Sequence, residues 1–399
     1  MLKPYLVIGT LFLSTSVLAS GYQLTEYSTV GVGRSFAGAG VVGDDYSAVS
    51  YNPAGIKLPR TNGIQLGAST VGIRSSVTGT SVTGESGKTR PYIVRVLPQV
   101  YAQYHLTDKL STAFGIYTPF GLATDYKNCW FGKHEALRSE IKAVNIGPGL
   151  AYQLTPWLTI GASVNLQYAS ANLTNQHPSL GKATLEGDDL GVNYVLGMMV
   201  EPTSTTRLGL SWRSKVTHKL KGDLSFTRSS AYDQDIYAKI TTPEMVILSG
   251  YQQLNDKWGL SGTVKWTRWQ QFKELDIYTK NHQLVSSTSE HWRNTWFYSL
   301  GADYKYTDKI TLRFGSAYDQ STVSSTYRTA RIPDGRRIWA SFGASYQTGA
   351  WEFDAGFAHL FIKKVTARNA GNVGGTMQKT HLRYGSSANI FSLSARYTF

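Results

Sequence analysis

The sequence contains a single cysteine, Cys129, and only 12 prolines, and charged residues make up 17% of its 399 residues. One cysteine cannot form a disulfide framework. No acidic residue follows Asp354, and no segment after residue 19 is apolar enough to cross a bilayer as a helix. Aromatic residues and glycine are plentiful instead, with 25 Tyr, 10 Trp, 15 Phe and 39 Gly. This composition is unusual for a soluble enzyme.

The sequence lacks the sets of residues that several classes of chemistry require. No Ser, His and acid set stands out for nucleophilic catalysis, and no Cys, His and acid cluster has metal-ligand spacing. Gly31-x-Gly33 has no preceding strand and no third glycine, so it does not match a phosphate-binding loop. The 40 basic residues are scattered along the chain, which argues against nucleic acid as a partner. We expect no enzymatic activity, no cofactor and no metal site.

Residues 1–19 have the pattern of a secretory signal. Lys3 supplies the positive charge, residues 5–13 form a short apolar core, and Val17-x-Ala19 precedes the expected cleavage site. The core is too short for a transmembrane helix. The sequence therefore predicts an exported protein that starts close to Ser20.

Most of the remaining chain alternates apolar and polar residues with a period of two. In the last strand, Phe391, Leu393 and Phe399 share one face with Ala395 and Tyr397, while polar residues occupy the other. The core face of a water-soluble sandwich would be mainly aliphatic, whereas here Tyr and Trp fall near the turns. A polar inner face, an apolar outer face and aromatic ends are typical of a transmembrane β-barrel strand.

The connections predict the number of strands. Six short turns begin near residues 106, 154, 201, 254, 306 and 347, and seven longer polar stretches cover 74–91, 123–136, 175–184, 227–241, 273–291, 321–335 and 364–382. Short periplasmic turns alternate with long external loops in such barrels. Residues 59–399 are therefore predicted to form fourteen antiparallel strands with both ends on the periplasmic side.

Residues 20–58 do not alternate. They are rich in glycine and contain the acid pair Asp44 and Asp45, a helix-like run at 46–49 that either acid can cap, and Asn52 followed by Pro53. About eight strands fill their own interior, whereas about 16–18 leave an aqueous channel. A fourteen-stranded barrel would leak unless its lumen were filled. We predict that residues 20–58 form a partly helical hatch, or plug, inside the lumen.

Several motifs resemble one family, the FadL outer-membrane transporters for hydrophobic molecules. They are Ser20-Gly21-Tyr22-Gln23-Leu24, Asn52-Pro53-Ala54 and the stretches 117–124, 208–215, 253–258 and 331–337. The resemblance covers the whole mature chain. It implies a monomeric fourteen-stranded barrel in the bacterial outer membrane, surrounded by lipid and lipopolysaccharide. It also implies passive uptake of hydrophobic molecules, with long-chain fatty acids ranked first.

The resemblance also implies a route and its residues. Ligand moves from an outer groove to an interior site against the hatch and leaves sideways through a kinked third strand, a position that suits Pro119 because proline cannot donate to a strand ladder. The implied ligand contacts are Tyr22, Phe120, Leu173 and Asn175. The implied hatch and gating residues are Asn52, Pro53, Ala54, Gly115, Pro119, Asp334 and Arg337. Phe399 completes the last strand, through which we expect the barrel assembly machinery to act.

The charge of the ligand stays open at this point. Where the best-known fatty-acid transporters of the family have an interior arginine, this chain has Asn175. A buried carboxylate without a cation is costly, unless Lys182, Arg213 or another inward base replaces it. The alternatives to a fatty acid are a neutral aromatic hydrocarbon carried by the same fold, or a surface adhesin or phage-receptor role.

Overall fold

The computed structural model describes residues 20–368, 370–373 and 376–399, so the predicted signal at 1–19 lies outside the described residues. Fourteen antiparallel strands form the wall of a closed barrel, which confirms the predicted fold. The strands are β1 Gly63–Thr80, β2 Tyr92–His105, β3 Leu110–Asp125, β4 Arg138–Thr155, β5 Leu158–His177, β6 Gly181–Thr203, β7 Thr206–Arg213, β8 Met245–Gln253, β9 Trp258–Thr267, β10 Thr295–Lys305, β11 Ile310–Asp319, β12 Arg337–Thr348, β13 Trp351–Ile362 and β14 His381–Thr398. The barrel closes because β1 pairs with both β2 and β14.

The side chains alternate across the wall as the sequence predicts. On β5, Ser163 and Asn165 are buried in the lumen, whereas Val164 and Leu166 are exposed on the outside. Leu393 on β14 is likewise exposed over 68% of its surface. Exposed apolar side chains on the outside of a closed barrel fit a lipid-facing wall. No helix in the described ranges has the length and apolar character needed to cross a membrane.

The external connections differ from the prediction in their detail. The predicted loop at 175–184 is only a short turn, because β5 extends to His177 and β6 starts at Gly181. The predicted loops at 227–241 and 273–291 contain strands. Above β6–β10 the sheet continues as Val216–Phe226, Gln234–Thr242, Glu274–Thr279 and Leu284–Ser289. These extensions have polar residues on their outer face, since lipid no longer contacts it, and apolar residues such as Ile236 and Ile277 on their inner face.

Residues 20–58, named here the luminal segment, lie inside the barrel and are almost entirely buried. They contain helix α1 Thr29–Gly33, helix α2 Ala48–Tyr51 and the 3-10 helix Pro53–Lys57. Glycine occupies two of the five positions of α1, so the sequence pattern does not indicate a helix there. Ser28 caps α1 by accepting from the Gly31 N–H at 2.8 Å. The segment packs among the aromatic and aliphatic side chains that form the core of the lumen.

The predicted cap of the second helix is wrong. Neither acid of the pair caps α2 from the position before it, which is occupied by Ser47 without a side-chain cap. Asp45 accepts instead from the Ser47 N–H and hydroxyl, at 3.1 and 2.7 Å. Asp44 turns away towards the barrel wall, because arginine side chains there attract its carboxylate.

Candidate functional site

A buried ion network joins the luminal segment to the wall. Arg34 Nη1 lies 2.5 Å from Asp44 Oδ2 and 2.9 Å from Asp303 Oδ1. Arg313 Nη2 lies 3.0 Å from the same Asp44 oxygen, and Arg396 donates to the Asp44 carbonyl at 3.0 Å. Burial opposes ionisation of Asp44, but the guanidinium groups of Arg34 and Arg313 hold its pKa well below its usual range. Removing one partner of a buried pair costs about 3–5 kcal/mol, so this network fixes the segment in the lumen.

The motif Asn52-Pro53-Ala54 sits against glycines of the wall. Asn52 accepts from the Ala54 N–H at 3.1 Å, which caps the 3-10 helix, and donates to the Met198 carbonyl at 3.0 Å. A Cβ added at Gly161 would lie 2.3 Å from the Pro53 carbonyl carbon. The motif thus contacts the backbone of β5 and β6 directly, and no larger residue fits at Gly161.

The wall between β2 and β3 is only partly paired. Val100–His105 of β2 pairs with Ser111–Ile116 of β3, and the pairing ends there. Beyond Ile116, β3 pairs with β4 alone, and a bulge at Thr118 and Pro119 shifts its register. Residues 117–124 are buried on both faces, so this part of β3 has left the lipid-facing wall. An unpaired gap therefore opens sideways between β2 and the outer half of β3.

The start of the luminal segment pairs with this displaced part of β3. Leu24 N–H donates to the Pro119 carbonyl at 2.8 Å, and Gly121 N–H donates to the Tyr22 carbonyl at 2.7 Å. Gln23 forms a β-bridge with Phe120 between these bonds. The structure therefore connects the inner end of the gap to the residues that precede α1.

An aromatic box surrounds Tyr22. Its ring centroid lies 4.7 Å from that of Trp269, 5.6 Å from Trp292, 5.9 Å from Phe272 and 6.0 Å from Phe120, and all five side chains are buried. The Tyr22 hydroxyl donates to the Thr241 carbonyl at 2.6 Å. Two predicted ligand contacts, Tyr22 and Phe120, thus meet in one apolar chamber beside the gap in the wall.

One carboxyl group lies in the wall of this box. Glu290 is 3% exposed and accepts from the indole N–H of Trp292 at 2.8 Å. Burial raises the pKa of Glu290 to about 8, although the hydrogen bond from Trp292 and the charge of Arg331 oppose the change. At neutral pH this carboxyl group is mainly protonated, so the box carries little negative charge.

A cation lies beside Asn175, although it comes from another part of the chain. Arg331 Nη2 donates to Asn175 Oδ1 at 3.1 Å, and Nη1 donates to the Ser139 hydroxyl at 3.2 Å and to the Thr174 carbonyl at 3.3 Å. Burial lowers the pKa of Arg331 to about 10, and the side chain stays charged at neutral pH. Arg331, from the connection between β11 and β12, thus brings a guanidinium next to the position where the family resemblance implies an arginine.

The other predicted residues lie at separate places. Leu173 lines a small apolar crevice of about 30 Å³. Gly115 faces the lumen, where an added Cβ would lie 3.0 Å from Val49. Asp334 and Arg337 pair with each other at 2.6 Å, and Asp334 also accepts from the Ser321 hydroxyl and the Thr322 N–H, so the pair holds the β11–β12 connection. Phe399 faces outwards at the end of the barrel.

The sequence reasoning missed five residues of the site. Trp269 and Phe272 lie in the connection 268–273, and Glu290 and Trp292 lie in the connection 290–294, both of which fold back into the lumen. Arg331 is the fifth. A signal was present, because aromatic residues interrupt the alternating pattern at both connections, but periodicity alone does not show which way a connection folds.

Comparisons with known proteins agree with this architecture. Residues 10–399 match the family described as "Outer membrane protein transport protein (OMPP1/FadL/TodX)". The long-chain fatty acid transport protein of Escherichia coli is 26% identical over 392 residues, which cover 86% of this chain and 88% of that protein. The crystal structure of a FadL homologue from Pseudomonas aeruginosa superposes with a TM-score of 0.88 at 24% identity, covering 95% and 100% of the two chains. The Pseudomonas putida toluene transporter TodX gives a TM-score of 0.70 at 20% identity, covering 96% and 100%.

A closed barrel with an apolar outside defines an outer-membrane protein, and the family that matches consists of transporters for hydrophobic compounds and not of enzymes. The chain belongs to the FadL/TodX family of outer-membrane transport proteins. This confirms the family predicted from the sequence, its location in the bacterial outer membrane and the general class of cargo.

Proposed function

We propose that this protein carries long-chain fatty acids into the outer membrane and releases them sideways through the gap between β2 and β3. The observation that carries the proposal is the missing pairing beyond Val100 and Ile116, where the aromatic box and the start of the luminal segment lie behind the gap. A hydrophobic molecule that passes from the box into lipid avoids contact with water, which favours this direction of release.

The luminal segment acts as the hatch in this proposal. The ion network around Asp44 and the contacts of Asn52 hold it against the wall, and its buried residues fill the lower lumen. The chain then divides into a signal at 1–19, a hatch at 20–58 and a barrel at 59–399. The hatch stays in place during transport, and small movements of residues 20–24 against β3 are sufficient to clear the route.

The route from the outside follows apolar side chains. Leu173, Leu185, Ile236 and Ile277 line the crevice above the membrane, and Leu275 packs between this region and the core cluster that includes Tyr22 and Phe272. Leu275 thus joins the apolar crevice to the core that contains the box, which supports this course for a chain-like molecule. The closed box in this structure requires its aromatic side chains to move when ligand arrives.

Arg331 supports a carboxylate-bearing ligand. It lies beside Asn175 and is only partly enclosed, and a charge-assisted hydrogen bond from a guanidinium to a carboxylate is among the stronger interactions available in proteins. The similarity to the Escherichia coli long-chain fatty acid transport protein points the same way. Asn175 then orients the arginine and need not contact the ligand.

A neutral aromatic hydrocarbon is the second candidate. The observation in its favour is the box itself, in which four aromatic rings pack around Tyr22 and the nearby Glu290 is mainly protonated at neutral pH. Mass spectrometry of the lipid retained by protein purified from outer membranes separates the two. A retained fatty acid supports the first candidate, and a retained hydrocarbon with no fatty acid excludes it.

The lateral route is tested by repairing β3. A variant that lacks Thr118 and carries Pro119→Val removes the bulge, so β3 can continue in the wall. We expect uptake of labelled long-chain fatty acid to fall to the level of cells without the protein, while the barrel still folds and migrates heat-modifiably on gels. Pro148→Val on β4, an outward-facing position, is the matched control. Uptake at the normal rate by the repaired variant would exclude lateral release through this gap.

A further inference from the structure

A basic groove lies on the outside of the barrel where β1, β2 and β14 meet. Its volume is about 920 Å³, and its charged lining residues are Arg74, Arg90, Lys364 and Arg383. The remaining lining is mainly serine, threonine and the ring of Tyr92. No aspartate or glutamate lines the groove, and the chain has none after Asp354.

The groove lies at the external edge of the lipid-facing wall. On the paired strands β1 and β14, the outward residues Ile64, Leu66 and Phe391 are apolar, and Arg74 and Arg383 follow further out. About ten residues separate Ile64 from Arg74. At ~3.3 Å per residue and a tilt of ~40°, this corresponds to about 25 Å along the membrane normal, the height of the apolar band of such barrels. Arg74 therefore lies at the level of the outer lipid headgroups, and Arg383, which pairs with Thr78, lies about four residues further out along the strands.

The groove is built into the wall, and its cations have no acidic partner. Tyr92 lies over Gly72, where an added Cβ would be 3.0 Å from its hydroxyl oxygen, and the Arg74 guanidinium carbon lies 5.5 Å from the Tyr92 ring centroid. The Ser75 N–H donates to the Pro91 carbonyl at 3.1 Å, which holds the 90–92 segment against β1. Within the described residues, Arg74, Arg90, Lys364 and Arg383 form no ion pair with a carboxylate, in contrast to the arginines of the lumen.

We propose that this groove binds the phosphorylated sugar headgroup of lipid A, the glycolipid of the outer leaflet, with its acyl chains along the apolar wall below. Lysine and arginine bind phosphate strongly, and the arginine fork can donate two hydrogen bonds to one phosphate. Several cations in one groove, a row of hydroxyl groups and an adjoining apolar surface match a ligand with phosphates, sugar hydroxyls and acyl chains. The groove is separate from the transport route, since it lies on the β1 and β14 side of β2, whereas the gap lies between β2 and β3.

The test replaces Arg74, Lys364 and Arg383 with glutamine in the full chain. The matched control replaces three exposed lysines above the other side of the barrel, Lys215, Lys221 and Lys239, and removes the same charge. Both proteins, and the single variant Arg383→Gln in case the triple variant fails to fold, are titrated with bisphosphorylated lipid A in mild detergent. Thermal unfolding and native mass spectrometry report binding.

We expect the groove variant to bind lipid A about a hundredfold more weakly than the unmodified protein, and Arg383→Gln several-fold more weakly. The control variant should bind lipid A as tightly as the unmodified protein does. Dephosphorylated lipid A should bind the unmodified protein as weakly as lipid A binds the groove variant. Equal binding of lipid A by the groove and control variants would overturn the proposal, and so would equal binding of the dephosphorylated lipid. If inorganic phosphate alone stabilises the protein as much as lipid A does, the groove is a site for free anions and the lipid assignment is wrong.

Discussion

At the scale of single residues, the cation beside Asn175 comes from a distant part of the chain. Sequence comparison with the family puts Asn175 where an arginine is expected, and this alone favours a neutral cargo. The structure places the guanidinium of Arg331 against that asparagine, although the two residues are 156 positions apart. The sequence alone does not show that Arg331 lies beside Asn175, because this contact depends on how the β11–β12 connection folds over the lumen.

Arg331→Gln tests the role of this cation. We expect affinity for a long-chain fatty acid to fall about tenfold to a hundredfold, since a hydrogen bond to a charged group contributes about 1.5–3 kcal/mol. Affinity for the matching fatty alcohol should change little. The readout is equilibrium binding in detergent, with the exposed neighbour Arg336→Gln as the control. If Arg331→Gln lost affinity for the fatty acid and for the fatty alcohol equally, Arg331 would only support the fold.

Glu290 gives the site a pH dependence with a definite sign. Its pKa is raised from 4.5 to about 8 by burial, so the folded protein holds this proton more tightly than the unfolded chain does. The stabilisation by the neutral carboxyl group is complete below about pH 4.5, decreases as the pH rises and is lost once the pH exceeds about 8.

We therefore expect the tryptophan fluorescence of the box to change with a midpoint near pH 8, because Trp292 donates directly to Glu290. Glu290→Gln cannot ionise and should remove this transition while keeping a hydrogen-bond acceptor for the indole. The same fluorescence titration of both proteins makes the comparison. A transition that persists unchanged in the glutamine variant would assign it to another group.

At the scale of elements, the sequence predicted the strands well and the connections poorly. Alternation identifies a wall strand such as β5 because one face meets lipid and the other meets the lumen. The same rule misses the strands above the membrane, because Gln234–Thr242 and Glu274–Thr279 have a polar outer face that no longer meets lipid and an apolar inner face, the reverse of the wall pattern. Helix α1 was also missed, since its stability depends on the Ser28 cap and on packing in the lumen, not on the helix propensity of its glycines.

The irregular part of β3 was predicted for a physical reason. Pro119 cannot donate to a ladder, and the structure places the bulge at Thr118 and Pro119. The sequence could not show that residues 20–24 pair with this region, because a single β-bridge between Gln23 and Phe120 leaves no periodic pattern.

Asn52→Ala tests how the luminal segment is attached. The variant loses the cap on Pro53–Lys57 and the bond to the Met198 carbonyl, and loss of a cap costs about 1 kcal/mol. We expect faster amide hydrogen exchange in residues 53–57 with the barrel strands unchanged. Asn172→Ala, which removes a side-chain amide from the outer surface, should leave that exchange rate as it is. Unaltered protection in the Asn52 variant would show that packing alone holds the segment.

At the scale of the whole molecule, the luminal segment fills the barrel, and in the proposed route cargo therefore leaves through the wall and not along the barrel axis. A fourteen-stranded barrel is wide enough to need a filler, and the luminal segment fills it through buried ion pairs and close backbone contacts. This inference was available from the sequence, since the strand count and the non-alternating residues 20–58 together require it. The ion partners that hold the segment in place could not be predicted from the sequence, because they lie on distant strands.

Conductance in planar lipid bilayers tests this claim most directly. The intact protein should be nearly non-conducting, and a variant that lacks residues 21–54 should form a stable open pore with no change in the strands of the wall. Circular dichroism and heat-modifiable migration establish that the variant has folded. A large steady conductance through the intact protein, or a folded deletion variant that remains closed, would contradict the account.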